Sequence, residues 1–169
     1  MGHGYSMLGL VVIVILYAVI GLMAAAGTIS IARRFLAPKG EQIFYAGFLI
    51  MIAAFYLAFT AYFAAPTAWP VETTVVMAFV ALGLLGARLP VVLMAGYFLH
   101  GLWDLIHELQ AHGVWSTFDP GRLTAIPLAY GVFCAAFDFS MAAYFSVRRA
   151  GWNAAWQAAP HEAIGTKPR

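Results

Sequence analysis

Four ionisable side chains fall close together in the stretch Phe98-Leu-His-Gly-Leu-Trp-Asp-Leu-Ile-His-Glu108. On a helix, His100, Asp104, His107 and Glu108 occupy one stripe roughly 100° wide. Leu99, Leu102, Leu105, Ile106 and Leu109 cover the other faces. Imidazole beside carboxylate can move protons near neutral pH. The same groups ligate zinc, iron or manganese. A second set, Tyr130, Cys134 and Asp138, repeats every four residues and therefore shares a helix face.

Spacing limits the metal chemistry. His100 and His107 stand two turns apart, about 10 Å along the axis, too far to share an ion whose ligands lie about 2 Å from it. One site can use His100, Asp104 and Asp138; another can use Asp104, His107 and Glu108. The His-Glu-x-x-His spacing of zinc proteases is absent, since that pattern sets its histidines four apart. The candidate catalytic residues are thus His100, Asp104, His107, Glu108 and Asp138. The first metal set is His100, Asp104 and Asp138, with a divalent ion such as zinc or iron as the cofactor it would take. In this reading His100 and Asp104 carry the chemistry and Asp138 orients His100, because a carboxylate on one ring nitrogen fixes the tautomer and raises the basicity of the other.

These residues sit in an unusually apolar chain. Of 169 residues, 63% are hydrophobic and 9% charged, against about 25% charged in a soluble domain. The mean hydropathy is +0.85. So few charges cannot cover a water-facing surface, and a lipid bilayer is the expected partner. Five segments are long enough to span, at about 20 apolar residues each: 8–32, 42–65, 71–87, 89–110 and 123–147. The predicted fold is an all-α, single-domain integral membrane bundle of five transmembrane helices, followed by a cytoplasmic tail over 150–169. The first segment has no basic residues before it and exceeds the roughly 7–15 residues of a signal-peptide core, so it reads as a retained helix. Arg88-Leu89-Pro90 separates the third segment from the fourth, because proline disfavours helix in the residue before it.

Charge placement sets the sidedness. With the N-terminus outside and the C-terminus inside, Arg122 is the only lysine or arginine on the outer side. That is the asymmetry of an inner-type membrane protein, and a bacterial inner (cytoplasmic) membrane is the expected location. Trp69, Trp115 and Phe118 fall at one boundary and Trp152 and Trp156 at the other, as aromatic belts require. The two tail tryptophans share a face if the tail is helical, and the tail then lies along the inner surface.

The elements also set the depth of the polar groups. His100 lies 11 residues above the inner end of segment four, about 16 Å. Asp138 lies 9 residues above that of segment five, about 14 Å. Antiparallel packing then pairs His100 with Asp138, Asp104 with Cys134, and Glu108 with Tyr130. An ionisable group at such depth costs about 3 kcal/mol or more, so these groups must face the bundle interior. His107, Glu108, His112 and Glu72 lie toward the outer boundary, with Tyr17, Tyr56, Thr60 and Tyr62 in the outer halves of segments one and two. The expected site is a cleft entered from the extracytoplasmic side that closes near His100 and Asp138. Cys134 reads as packing, as do the tyrosines; His3, His112 and His161 read as exposed.

Several classes drop out. No lysine lies in any expected helix, which excludes a retinal Schiff base. No Cys-x-x-Cys-His occurs, so there is no c-type haem. No phosphate loop or dinucleotide fingerprint is present, and no nucleic-acid partner is expected. The one cysteine forbids an intrachain disulfide.

The pairing of His-Gly-x-Trp-Asp-x-x-His in one hydrophobic segment with Cys-x-x-x-Asp in the next resembles a family of small uncharacterised bacterial multi-pass proteins. The resemblance covers about a third of the chain and implies no established activity. The leading expectation is a membrane-embedded site that binds or transforms a small or lipid-soluble molecule by acid–base or metal-assisted chemistry. The alternatives are a proton or ion pathway along the same stripe, and an accessory subunit of a homo-oligomer or larger membrane complex.

Overall fold

The computed structural model describes residues 6–111, 118–119 and 121–158. His3, His112, Trp115, His161 and the last residues of the tail lie outside them. Five helices account for most of the described chain: α1 (Met7–Phe35), α2 (Pro38–Tyr62), α3 (Trp69–Gly86), α4 (Pro90–Ala111) and α5 (Tyr130–Gln157). The fold is all-α, with no strand among the described residues.

α4 packs most extensively along α5 and also meets α3 and α2. α1 lies on α5 and barely touches α2. A loosely closed seam therefore runs between α1 and α2. Four helices, α1, α2, α3 and α5, are long and apolar enough to cross a membrane. α4, expected as a further span, is 22 residues long but is not one of them. It carries the polar stripe and turns it inward: Tyr97, His100, Asp104, His107 and Glu108 are all buried, while Phe98, Leu99, Leu102 and Leu109 are exposed.

Small residues let the helices approach. In α1 only Gly21, Ala25 and Ala32 are buried, and a Cβ on Gly21 would sit 2.4 Å from the Phe133 carbonyl oxygen of α5. In an apolar solvent such close contact, rather than hydrophobic expulsion, drives helix association. The contact between α4 and α5 is as tight at Gly131, where a Cβ would meet the Asp104 carbonyl oxygen at 2.4 Å and the Glu108 Cβ at 2.9 Å. Gly131→Ala must push α5 off α4 beside the polar stripe. The expected loss is about 1–3 kcal/mol, read as a lower melting temperature in detergent. An unchanged melting temperature would show that the two helices are not closely apposed there.

α5 differs from the expected 123–147 at both ends. Pro127 and the left-handed backbone of Ala129, with φ of 58°, delay the helix to Tyr130. At the other end it continues to Gln157, and Trp152 is wholly buried rather than resting on a surface. α2 begins earlier than expected, with Pro38 in its first turn, where a missing N–H costs nothing. Lys39 consequently does lie in a helix, contrary to the reading from sequence, but at its mouth and stacked near Trp156.

Candidate functional site

α4 and α5 place His100 and Asp138 side by side at the centre of the bundle. His100 Nδ1 is 2.7 Å from Asp138 Oδ2 and 3.2 Å from Asp104 Oδ2. The three residues are 1% exposed or less. Asp104 lies one turn along α4 from His100, and its other oxygen, Oδ1, accepts the hydroxyl of Tyr56 from α2. Three helices thus converge on two carboxylates, one imidazole and one phenol. At this centre His100 Nε2 and Asp138 Oδ1 have no hydrogen-bond partner among the described residues, as is also true of Tyr45 Oη, Glu72 Oε2 and Trp103 Nε1 outside it. Buried polar atoms are rarely left so.

Two carboxylates around a single imidazole also pose a charge problem. A neutral imidazole would leave two negative charges in a medium of low dielectric, a cost that protons or a cation must offset. His100, Asp104 and Asp138 each offer a ligand atom, all within 4.8 Å of one another, so the group could hold a divalent metal.

The remaining stripe residues go elsewhere. His107 forms a second pair with Glu72 of α3, Nε2 to Oε1 at 2.9 Å. Its Nδ1 lies 3.0 Å from the Trp103 carbonyl oxygen and must carry a proton to use it. The pair joins α4 to α3. Glu72 Oε1 also accepts the backbone N–H of Thr124 at 2.8 Å. Tyr56 separates the two centres, its ring 4.4 Å from that of His107. Glu108 caps α5 from α4: its oxygens accept the N–H groups of Ala129 at 3.1 Å and Gly131 at 2.9 Å. Those are free donors of a helix start, where a negative charge also meets the positive end of the helix dipole. Its carboxylate positions α5 rather than joining the His100 group. Asp104 and Cys134 are not hydrogen-bonded to one another in the described contacts, although both flank the centre.

At the end that holds Glu72 and Glu108, Leu123, Thr124 and Ile126 are buried. Tyr17 and Tyr62 are exposed, and Thr60 donates to the Tyr56 carbonyl of its own helix. A cavity that reaches the centre lies on its flank. It is a groove of about 370 Å³ between α1, α2 and α5, with Asp138 and Cys134 in its wall.

The partners of three residues escape a reading from sequence, although Tyr56 and Glu72 were placed toward the outer boundary. Tyr56 and Glu72 pair with α4 from other helices, and nothing in their local spacing distinguishes them from packing or boundary residues. Glu41 lay in an expected loop, yet it is wholly buried. It accepts from the Tyr144 hydroxyl, from Arg148 Nε at 2.9 Å and from Trp152 Nε1 at 3.0 Å. A signal was present here: Tyr144, Arg148, Trp152 and Trp156 recur every four residues. Gln42 joins the same end, taking the Trp156 indole N–H at 2.9 Å and donating to the Gly86 carbonyl at 2.7 Å.

The match to a family model decides the relationship. It covers residues 13–151, and the family is described as a family of unknown function, DUF6010. The chain belongs to DUF6010. The match takes in α2, α3 and α4 whole and most of α1 and α5, with every residue of both buried centres. Membership in DUF6010 agrees with the expected resemblance to an uncharacterised family and supplies no activity. No curated protein and no solved structure matches the chain.

Proposed function

We propose that this DUF6010 protein crosses a bacterial inner membrane five times and uses His100, Asp104 and Asp138 as a working centre on a small or lipid-soluble molecule. The carrying observation is the meeting of two buried carboxylates on one imidazole nitrogen, with Asp138 Oδ1 and His100 Nε2 left unpartnered. In this reading Asp138 and Asp104 hold protons or one divalent cation, zinc or iron by ligand type. His100 exchanges a proton with the ligand through the pair it forms with Asp138. Tyr56 fixes Asp104.

A metal measurement tests it. Protein purified without chelators should carry about one equivalent of a divalent metal per chain, and Asp138→Asn protein should carry almost none. Metal content equal in the two would remove the centre as a metal site, and proton chemistry alone would remain.

The sidedness rests on charge. Arg33 and Arg34 close α1, and Lys39, Arg88 and Arg148 gather around Trp156 and Glu41. One end of the bundle is therefore basic, which supports placing it in the cytoplasm, with the N-terminus outside. α4 crosses in this arrangement with its polar stripe shielded by α2, α3 and α5. A cysteine at Gly40, in a Cys134→Ser background, should resist a membrane-impermeant maleimide in intact cells and react after lysis. Full reaction in intact cells would invert the topology.

A further inference from the structure

We propose that the seam between α1 and α2 is the lateral portal of the centre, and that its occupant is an apolar alcohol: a lipid-soluble molecule with an aromatic or polyene body and one hydroxyl. The inference rests on the reading of Asp138 as part of the working centre and names the class of molecule that centre takes.

The groove lies where the bundle is least closed, since α1 is held by α5 and scarcely by α2. Its volume of about 370 Å³ falls in the range of roughly 300–1,000 Å³ that suits a small-molecule site. Its walls are apolar and rich in rings, among them Phe48, Phe55, Phe59 and Phe133. Such a surface favours flat, unsaturated bodies, which stack on ring faces and edges. A water-soluble molecule gains nothing there and must cross lipid to arrive.

One carboxyl group breaks the apolar wall. Asp138 lines the groove, is wholly buried, and has Oδ1 unpartnered while Oδ2 holds His100. A carboxyl oxygen without a partner offers an acceptor, so it favours an occupant with a donor. A protonated amine would also donate, but it would have to bring its charge through the hydrocarbon. A hydroxyl donates without that cost. Its oxygen would then rest on the same carboxylate that orients His100, so the portal delivers the polar end of the ligand to the pair that can move its proton.

The test uses the whole protein in lipid nanodiscs, with a diazirine-bearing aromatic alcohol of long chain and its methyl ether as probes. The alcohol should crosslink to the groove, at Met51, Phe55 or Phe133, at least about tenfold more than the ether, the ratio that a hydrogen bond to a charged acceptor supplies. Asp138→Ala should bring the alcohol down to the level of the ether. Ile52→Trp and Thr28→Trp, which fill the groove from α2 and from α1, should suppress both probes without changing metal content. Equal labelling by alcohol and ether, or labelling that maps outside the groove, would overturn the portal. Metal content read on the same samples separates the two claims: metal bound through Asp138 with no preference for the alcohol leaves the centre standing and removes its proposed ligand. A preference for the alcohol without bound metal keeps the portal and removes the metal.

Discussion

Asp104→Asn is expected to leave the bundle folded and to strip the proposed centre of metal. Asparagine keeps the shape of aspartate, and its carbonyl oxygen can still accept the Tyr56 hydroxyl that Asp104 Oδ1 accepts. The other arm changes. An amide N–H₂ replaces Oδ2, which lies 3.2 Å from His100 Nδ1. A donor then faces a ring nitrogen that needs its own proton for Asp138, and one negative ligand is gone. Affinity for a divalent metal should fall by at least about 100-fold, beyond what loss of an outer-shell partner costs. Stability should fall by only about 1 kcal/mol, or roughly 2–4 °C in melting temperature for a chain of this size. His100→Ala is the contrast. It leaves two buried carboxylates facing each other with their shared partner removed, at about 3–5 kcal/mol. Glu108→Gln should keep the metal and weaken only the start of α5. If Asp104→Asn melts as low as His100→Ala while metal binding is unchanged, the stripe joins helices and does nothing else.

The largest loss of stability unconnected with the centre is expected from Glu41→Ala. Its buried carboxylate ties α2 to three donors of α5: Tyr144, Arg148 and Trp152. Removing it leaves a guanidinium and an indole N–H without their acceptor. Arg148 keeps 27% of its side chain exposed, so water recovers part of the loss, and the low end of the roughly 3–5 kcal/mol for a broken buried pair applies. That corresponds to a fall of about 6–12 °C, measured by thermal unfolding in detergent. Glu41→Gln retains an acceptor and should lose about half as much. Metal content should stay at the wild-type level in both, because Glu41 makes none of the contacts at His100. A Glu41→Ala protein within 2 °C of wild type, by the same scale, would mean that α5 is not anchored through this cluster.

The architecture could be read from sequence wherever a helix declares its own periodicity. The stripe of His100, Asp104, His107 and Glu108 follows from 3.6 residues per turn alone, and the buried face of α4 is that stripe. The partnership of His100 with Asp138 needed one further step, the matching of depth in two antiparallel helices, and the two side chains meet at 2.7 Å. Pairs that depend on rotation about the helix axis were not legible. Glu108 was matched to Tyr130 by depth, yet it takes the N–H groups on either side of that residue, because Pro127 and the left-handed turn at Ala129 begin α5 later than the apolar pattern does. Tyr56 sits among other aromatic residues in α2, and only the packing of α2 against α4 shows which tyrosine reaches Asp104. Glu41 was assigned to a loop because hydropathy falls at Lys39 and Glu41, although a helix can begin in polar residues and bury them against a neighbour. The groove beside Asp138 was equally hidden, since it depends on which two helices pack least.

The central claim is that His100, Asp104 and Asp138 are kept for chemistry and not for holding α4 to α5. It can be tested before any substrate is known, by measuring the unfolding free energy of a protein in which the group is made apolar at similar volume. The variant combines His100→Leu, Asp104→Val and Asp138→Val with Tyr56→Phe, which removes the hydroxyl that would otherwise lose its acceptor. Exchanging a buried ionic group for well-packed apolar residues is commonly neutral or stabilising by about 1–4 kcal/mol, and a site retained for function carries that cost in the native protein. The account predicts a variant at least as stable as wild type and devoid of bound metal. A variant that unfolds several kcal/mol more easily than wild type, with caps and the Glu41 cluster untouched, would contradict it and make the group a structural tie.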